Sequence, residues 1–175
     1  MSEKKNTFEE IIRPILVLTV ICIVVSGLLA GTHAITQPVI DANAKREADA
    51  SRIALLPEAD AFTRVEYADG TISEVWAADN GAGYVITGSA KGYGGDVPVM
   101  VGITAEGTIS AIQVMDNDET PGVGKKIMEA DFTGQFQGKT GSDRVDAITG
   151  ATYSSNAVFE VVDAAMAAYQ TVKGA

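Results

Sequence analysis

The 175 residues carry 13 Lys and Arg against 23 Asp and Glu, a net charge of −10, and are 46% hydrophobic but only 21% charged. That is room for one domain with an appendage, and too apolar a chain to stay disordered. The charges up to residue 40 cancel, so the whole excess sits in the remainder, which excludes nucleic acid and anionic lipid headgroups as partners. The one Cys and one His, Cys22 and His33, both fall in the apolar N-terminal stretch. The acidic remainder therefore cannot build a Ser-His-Asp or Cys-His nucleophile, a thiolate or imidazole metal site, a haem attachment, an iron–sulfur cluster or a disulfide.

From Pro14 to Ile40 there is no Asp, Glu, Lys or Arg. At about 1.5 Å per residue, Ile15 to Ile35 already spans a hydrocarbon core of roughly 30 Å, which predicts one transmembrane helix. A cleaved signal peptide is the rival, with Lys4, Lys5 and Arg13 as a basic n-region and Thr32-His33-Ala34 as a loose cleavage site. The length of the apolar run favours an uncleaved anchor. Flanking positive charge is balanced, and the short tail with Arg13 against the helix tips the orientation to N-terminus inside. Gly27 and Gly31, spaced as GxxxG beside Ser26, would let another helix approach closely, though small residues four apart also occur by chance in such helices.

The expected organisation is a cytoplasmic tail (1–13), a transmembrane helix (14–37), a helical stalk (38–60) ending near Pro57, and an extracytoplasmic domain (61–175). Strand-like stretches follow at Thr63–Tyr67, Thr71–Trp76 after Asp69-Gly70, Gly83–Ser89, Val97–Thr104 and Thr108–Met115, the last two joined by Ala105-Glu106-Gly107. Such close succession predicts a mainly antiparallel sheet. Val158, Val161, Val162, Ala165, Ala168, Tyr169 and Val172 then recur at helical spacing, with Ser154, Ser155 or Asn156 as candidate N-cap. The fold class is α+β.

Three stretches are too rich in Gly, Pro and small residues to be ordinary core: Gly92 to Pro98, Glu119 to Lys126, and Asp146 to Thr152. Each could be a tight turn, or a backbone that lets a flat or phosphorylated ligand come close. In the third, the Thr152 hydroxyl falls just before a helix N-terminus, where free N–H groups and the macrodipole favour a phosphate.

Asp146-x-x-Thr149-Gly150-Ala151-Thr152 resembles the flavinylation motif D-x-x-[ST]-G-A-T of the FMN-binding domain shared by the G subunit of Rnf electron-transport complexes and the C subunit of sodium-pumping NADH:quinone reductases. The resemblance extends to Gly92-Tyr93-Gly94-Gly95, Glu119-Thr120-Pro121-Gly122-Val123-Gly124, Gln135-Phe136-x-Gly138-Lys139 and the N-terminal anchor. It implies covalent FMN, esterified through its phosphate to Thr152 by a separate flavin transferase that uses FAD, with Asp146 and Thr149 as recognition residues for that transfer. It also implies a ferredoxin:NAD+ oxidoreductase coupled to Na+ or H+ movement, with membrane partners that include a second flavin subunit and iron–sulfur subunits. The compact anchored chain looks more like the Rnf subunit than the quinone-reductase one. Family members often carry a His before Glu-Thr-Pro-Gly, where this chain has Asp116-Asn117-Asp118.

The resemblance agrees with the composition, since a domain without Cys or His carries electrons only through a borrowed cofactor such as flavin. The expected contacts are Tyr93, Gly94, Gly95, Glu119, Thr120, Gly122, Gly124, Lys125, Asp146, Thr149, Gly150, Ala151 and Thr152. Lys125 and Lys126 could offset the phosphate, or simply be solvated. Trp76 could stack on the ring, with core packing as its expected role. Two readings from other classes compete. One is a pilin-like anchor suggested by Phe8-Glu9-Glu10, which lacks the Gly before Phe8. The other is a hydrolase with Thr152 as nucleophile, which lacks a His.

Overall fold

The computed structural model describes residues 12–67 and 70–174. The expected tail lies almost wholly outside these residues, as does Asp69 of the first turn. The chain divides into two compact units, 1–48 and 49–175. Helix α1 runs over Arg13–Leu55, which includes residues 14–37 and only 38–55 of the 38–60 stretch. Within it Arg13–Gln37 is long and apolar enough to cross a membrane, with a mean hydropathy of 2.6. Leu56 and Pro57 follow the end of the helix.

In the second unit five strands, β1 (Phe62–Val65), β2 (Ile72–Ala78), β3 (Gly83–Lys91), β4 (Asp96–Thr104) and β5 (Ile109–Val114), pair in sequence order, every pair antiparallel. The register of β3 and β4 runs unbroken from Gly83↔Thr104 to Lys91↔Asp96. Side chains alternate across a strand, and β4 shows the result plainly. Val97, Val99, Val101 and Ile103 point into the main core, whereas Met100 joins a smaller cluster on the other face with Leu55, Leu56, Ala59, Ala78 and Val85.

Between β5 and the last helix lie two 3-10 turns, Gly124–Met128 and Gly134–Phe136, flanking the short helix α2 (Ala130–Thr133). Helix α3 (Thr152–Val172) covers the main face of the sheet with Val158, Val161, Val162, Ala165, Ala168 and Tyr169, all buried. Burying each such branched side chain contributes about 1.5–3 kcal/mol, so this face supplies much of what holds the domain together. The turns and α2 bury Ile127, Phe132 and Phe136, and the ring of Phe159 stacks on Phe132 with centroids 6.1 Å apart.

The last turn of α1 belongs to this unit. A Cβ on Gly102 would lie 2.6 Å from the Leu55 carbonyl oxygen, so only glycine admits the helix end there, and the Ser110 hydroxyl donates to the same oxygen. Arg52, only 5% exposed, lies 3.8 Å over the Trp76 ring and pairs with Asp49 at 2.6 Å and Glu74 at 3.5 Å. Trp76 is half-buried and donates its ring N–H to Glu74 at 2.9 Å. Its partner is this guanidinium, rather than the apolar core or the cleft described next.

Candidate functional site

The three glycine-rich stretches come together at one end of the sheet. They border an open cleft of about 220 Å³ lined by Tyr93, Glu119, Thr120, Val123, Gly124 and the segment from Gly150 to Ser154. The β3–β4 connection supplies Tyr93, the chain leaving β5 supplies Glu119 to Gly124, and the start of α3 supplies the rest. Among the described residues no group of three or more His, Cys, Asp or Glu is arranged to hold a metal ion.

Thr152 is the first residue of α3 and is exposed. Sequence reasoning set it just before the helix and looked for a cap at Ser154, Ser155 or Asn156. The N-cap position is instead Ala151, which has no side-chain oxygen to give. The first helical hydrogen bond runs from Ser155 N–H to the Ala151 carbonyl at 2.9 Å. The N–H groups of Thr152, Tyr153 and Ser154 thus precede the helical ladder at its positive end. The Ser155 hydroxyl turns back to receive the Ile148 N–H at 3.0 Å, which ties the preceding turn to the helix. Gly150 has φ +84°, a left-handed conformation that glycine adopts without strain, and a Cβ there would meet nothing within 4 Å.

Glu119 is only 1% exposed. One carboxylate oxygen accepts the Gly94 N–H at 2.8 Å, and the other accepts the Ser154 hydroxyl at 2.5 Å. Its own N–H donates to the Asn117 side-chain oxygen at 3.1 Å. Burial acts most strongly on this carboxyl and raises its pKa. The Ser154 hydroxyl and the N–H groups of Gly94, Tyr93 and Gly95 together outweigh burial and leave the pKa below the ordinary value. Successive N–H groups converging on one anion form a nest.

The nest accounts for two glycines differently from ligand approach. A Cβ on Gly92 would lie 2.3 Å from one Glu119 oxygen, and one on Gly124 would lie 2.8 Å from the other. A Cβ on Gly94 would lie 2.1 Å from the Asp118 carbonyl oxygen. At these positions the space beside the backbone is filled by the chain itself.

The other expected contacts divide. Thr120 and Tyr93 line the cleft, and the Tyr93 ring is 76% exposed. Gly95 faces Asp118, and Gly122 is exposed with φ +75°; neither lines the cleft. Lys125 pairs with Asp116 at 3.1 Å, and this lysine holds the Asp116 carboxyl below its usual range. Lys126 and Asp146 border a separate groove with Gln135, whose side-chain oxygen accepts the Asp146 N–H at 2.9 Å. Thr149 is exposed outside the cleft lining. Tyr153, 72% exposed on the rim, was missed; its only signal was its place directly after Thr152.

An FMN group fits here at one end. The cleft is smaller than the roughly 300–1,000 Å³ that engulfs a whole ligand of that size. It does offer an exposed hydroxyl, N–H donors before the helical ladder, an unobstructed Gly150 and two exposed aromatic rings, Tyr93 and Tyr153.

Residues 92–167 match the FMN-binding domain family. The chain is 30% identical to the G subunit of the proton-translocating ferredoxin:NAD(+) oxidoreductase complex of Clostridium ljungdahlii, with 90% of each chain covered. It is 32% identical to the G subunit of the Na(+)-translocating ferredoxin:NAD(+) oxidoreductase complex of Acetobacterium woodii, again with 90% of each covered. The crystal structure of the C subunit of the Na(+)-translocating NADH-quinone reductase from Parabacteroides distasonis aligns at 21% identity and a TM-score of 0.48, covering 59% of this chain and 62% of that one.

Proposed function

Because the chain belongs to the family of G subunits of ion-translocating ferredoxin:NAD+ oxidoreductase complexes, we propose that it is the membrane-anchored electron carrier of such a complex, with FMN joined through its phosphate to Thr152. The observation that carries this reading is the exposed Thr152 hydroxyl at the first position of α3, on a cleft shared with Tyr93, Thr120 and Gly150. When bound, FMN would supply one- or two-electron exchange to a domain that has neither Cys nor His.

The chain's own part is to hold and orient that group. The first-turn N–H groups of α3 and the positive end of its macrodipole oppose the phosphate charge. Gly150 leaves the approach to Thr152 open, and Tyr93 and Tyr153 offer ring faces on the rim. Thr152 would hold the group through its side-chain oxygen, the new bond to the FMN phosphorus replacing the pyrophosphate bond of FAD, with AMP as the leaving group. A separate flavin transferase takes the hydroxyl proton, with Asp146 and Thr149 as its recognition residues. A covalent link keeps the cofactor on a face of the membrane where no flavin pool replenishes it.

In this reading Arg13–Gln37 spans the membrane once with the N-terminus inside, and residues 61–175 stand outside among the other membrane subunits. Those subunits include a second flavin carrier and iron–sulfur proteins, and electron flow through them is coupled to Na+ or H+ movement. Denaturing electrophoresis of membranes tests the linkage. A fluorescent flavin band should run at this chain's mass, vanish in Thr152→Ala and persist in Thr63→Ala, which alters an exposed strand residue. An intact mass equal to the bare sequence in the native protein refutes the assignment.

A further inference from the structure

The nest formed by Tyr93, Gly94 and Gly95 has the form of a phosphate cradle, yet a residue 25 positions further along the chain already fills it. We propose that Glu119 is a positioning residue: it clamps the Gly92–Gly95 turn to the first turn of α3 and so presents the Thr152 hydroxyl in one fixed place. This rests on the reading that Thr152 carries the flavin.

Three segments meet on this carboxylate: the Gly92–Gly95 turn, the first turn of α3 and the turn at Gly124. Gly94 donates to one oxygen, and Ser154, two residues after Thr152, donates to the other. Gly92 and Gly124 press against it so closely that neither admits a Cβ. Asn117 fixes the backbone from which it projects, with its side-chain oxygen on the Glu119 N–H and its amide N–H on the Met115 carbonyl at 2.8 Å. Such a group has no room to reorient, so the two turns it joins are held in register. Without it, Gly94 loses its acceptor, Ser154 loses its partner, and the turn carrying Thr152 is no longer tied to the opposite wall of the cleft. Glu119 therefore acts through the backbone that presents the reacting hydroxyl. The flavin phosphate is left to the α3 side of the cleft, since the nest is taken.

The test uses the full chain in membranes that contain its transferase, with two readouts. The first is flavin incorporation, measured by in-gel fluorescence and intact mass. The second is amide hydrogen exchange at Gly94 and at the first turn of α3, which needs no flavin. In Glu119→Ala, incorporation should fall and Gly94 exchange should rise, each about tenfold. Glu119→Gln should restore most of both, because its carbonyl still accepts from Gly94 while its amide group donates to the Ser154 oxygen. Ser154→Ala, which leaves the Gly94 bond in place, should loosen the α3 turn and leave Gly94 protected; it remains informative if Glu119→Ala does not fold. The proposal is overturned if folded Glu119→Ala matches the wild type in exchange and incorporation. It is equally overturned if Glu119→Gln labels as poorly as Glu119→Ala while its exchange is normal, because charge rather than position would then be at work. A wild-type chain without flavin defeats the Thr152 assignment alone, and the exchange measurements still decide whether Glu119 holds the two turns.

Discussion

Adding a single methyl group at Gly92 tests how rigidly the buried carboxylate is held. Gly92 is not among the glycines with positive φ, so Gly92→Ala brings steric conflict without backbone strain. The new Cβ would lie 2.3 Å from a Glu119 oxygen and 2.7 Å from a Val97 methyl, both well inside contact distance. Overpacking of this kind costs about 1–3 kcal/mol. Displacing the carboxylate far enough to relieve it leaves a buried donor without its partner, for about 1–3 kcal/mol more. The sum, about 2–6 kcal/mol, is a large share of the roughly 5–15 kcal/mol by which a domain is stable. Urea unfolding followed by the fluorescence of Trp76, the only tryptophan, reads this as a lower midpoint with unchanged slope. The double variant Gly92→Ala/Glu119→Ala should cost less than the two single changes added together, by about 1–2 kcal/mol, because the methyl then occupies vacated space. Val97 keeps the relief from being complete. Strict additivity would refute the reasoning, since it would mean that the two positions do not compete for the same volume.

Two further outcomes follow from the domain's buried polar contacts. The Tyr169 hydroxyl donates to the Ala105 carbonyl at 2.8 Å, and Lys173 reaches the same oxygen at 2.9 Å. Tyr169→Phe should therefore lower stability by only about 1 kcal/mol in the same urea assay, because the acceptor keeps a second donor. Glu119, with a folded-state pKa below its unfolded one, stabilises the fold at neutral pH. As pH falls through the ordinary value of about 4.3 the unfolded form takes up its proton first, so stability drops until the folded form is protonated too. Stability plotted from about pH 6 downward should fall less steeply in Glu119→Gln than in the wild type.

The strands were legible because each is a short run with turn chemistry at its ends. The alternation in β4 even separates the two faces it serves, Val97 to Ile103 on one side and Met100 on the other. The stripe of α3 was equally plain, since Val158, Val161, Val162 and Ala165 repeat at a helical period over 21 residues. Its start was misread because sequence rules look for a side-chain oxygen at the N-cap, and Ala151 has none. The turns of residues 124–136 went unread. Their buried residues, Ile127, Phe132 and Phe136, are too irregularly spaced to declare a period, and the elements are only three to five residues long. The grouping of Tyr93, Thr120 and Thr152 was found through motifs. Glu119 was expected as a flavin contact, and its bonds to Gly94 and Ser154 were not legible, because those partners lie 25 and 35 residues away and meet it only in the fold. Lys125 shows the converse: a cation beside a glycine-rich turn suggested a phosphate, and the nearer Asp116 claims it.

The order of the strands sets an order of events during synthesis. Each strand pairs with the one made just before it, so the sheet can grow hairpin by hairpin as the chain emerges. Its apolar cover, α3, follows every strand in the chain, and until it is made Val75, Ile86, Val99 and Val101 lack their roof. A ribosome stalled before residue 152 would hold a sticky half-built sheet. Thr152 opens that roof, so the attachment proposed for it would have to wait until all five strands have been made.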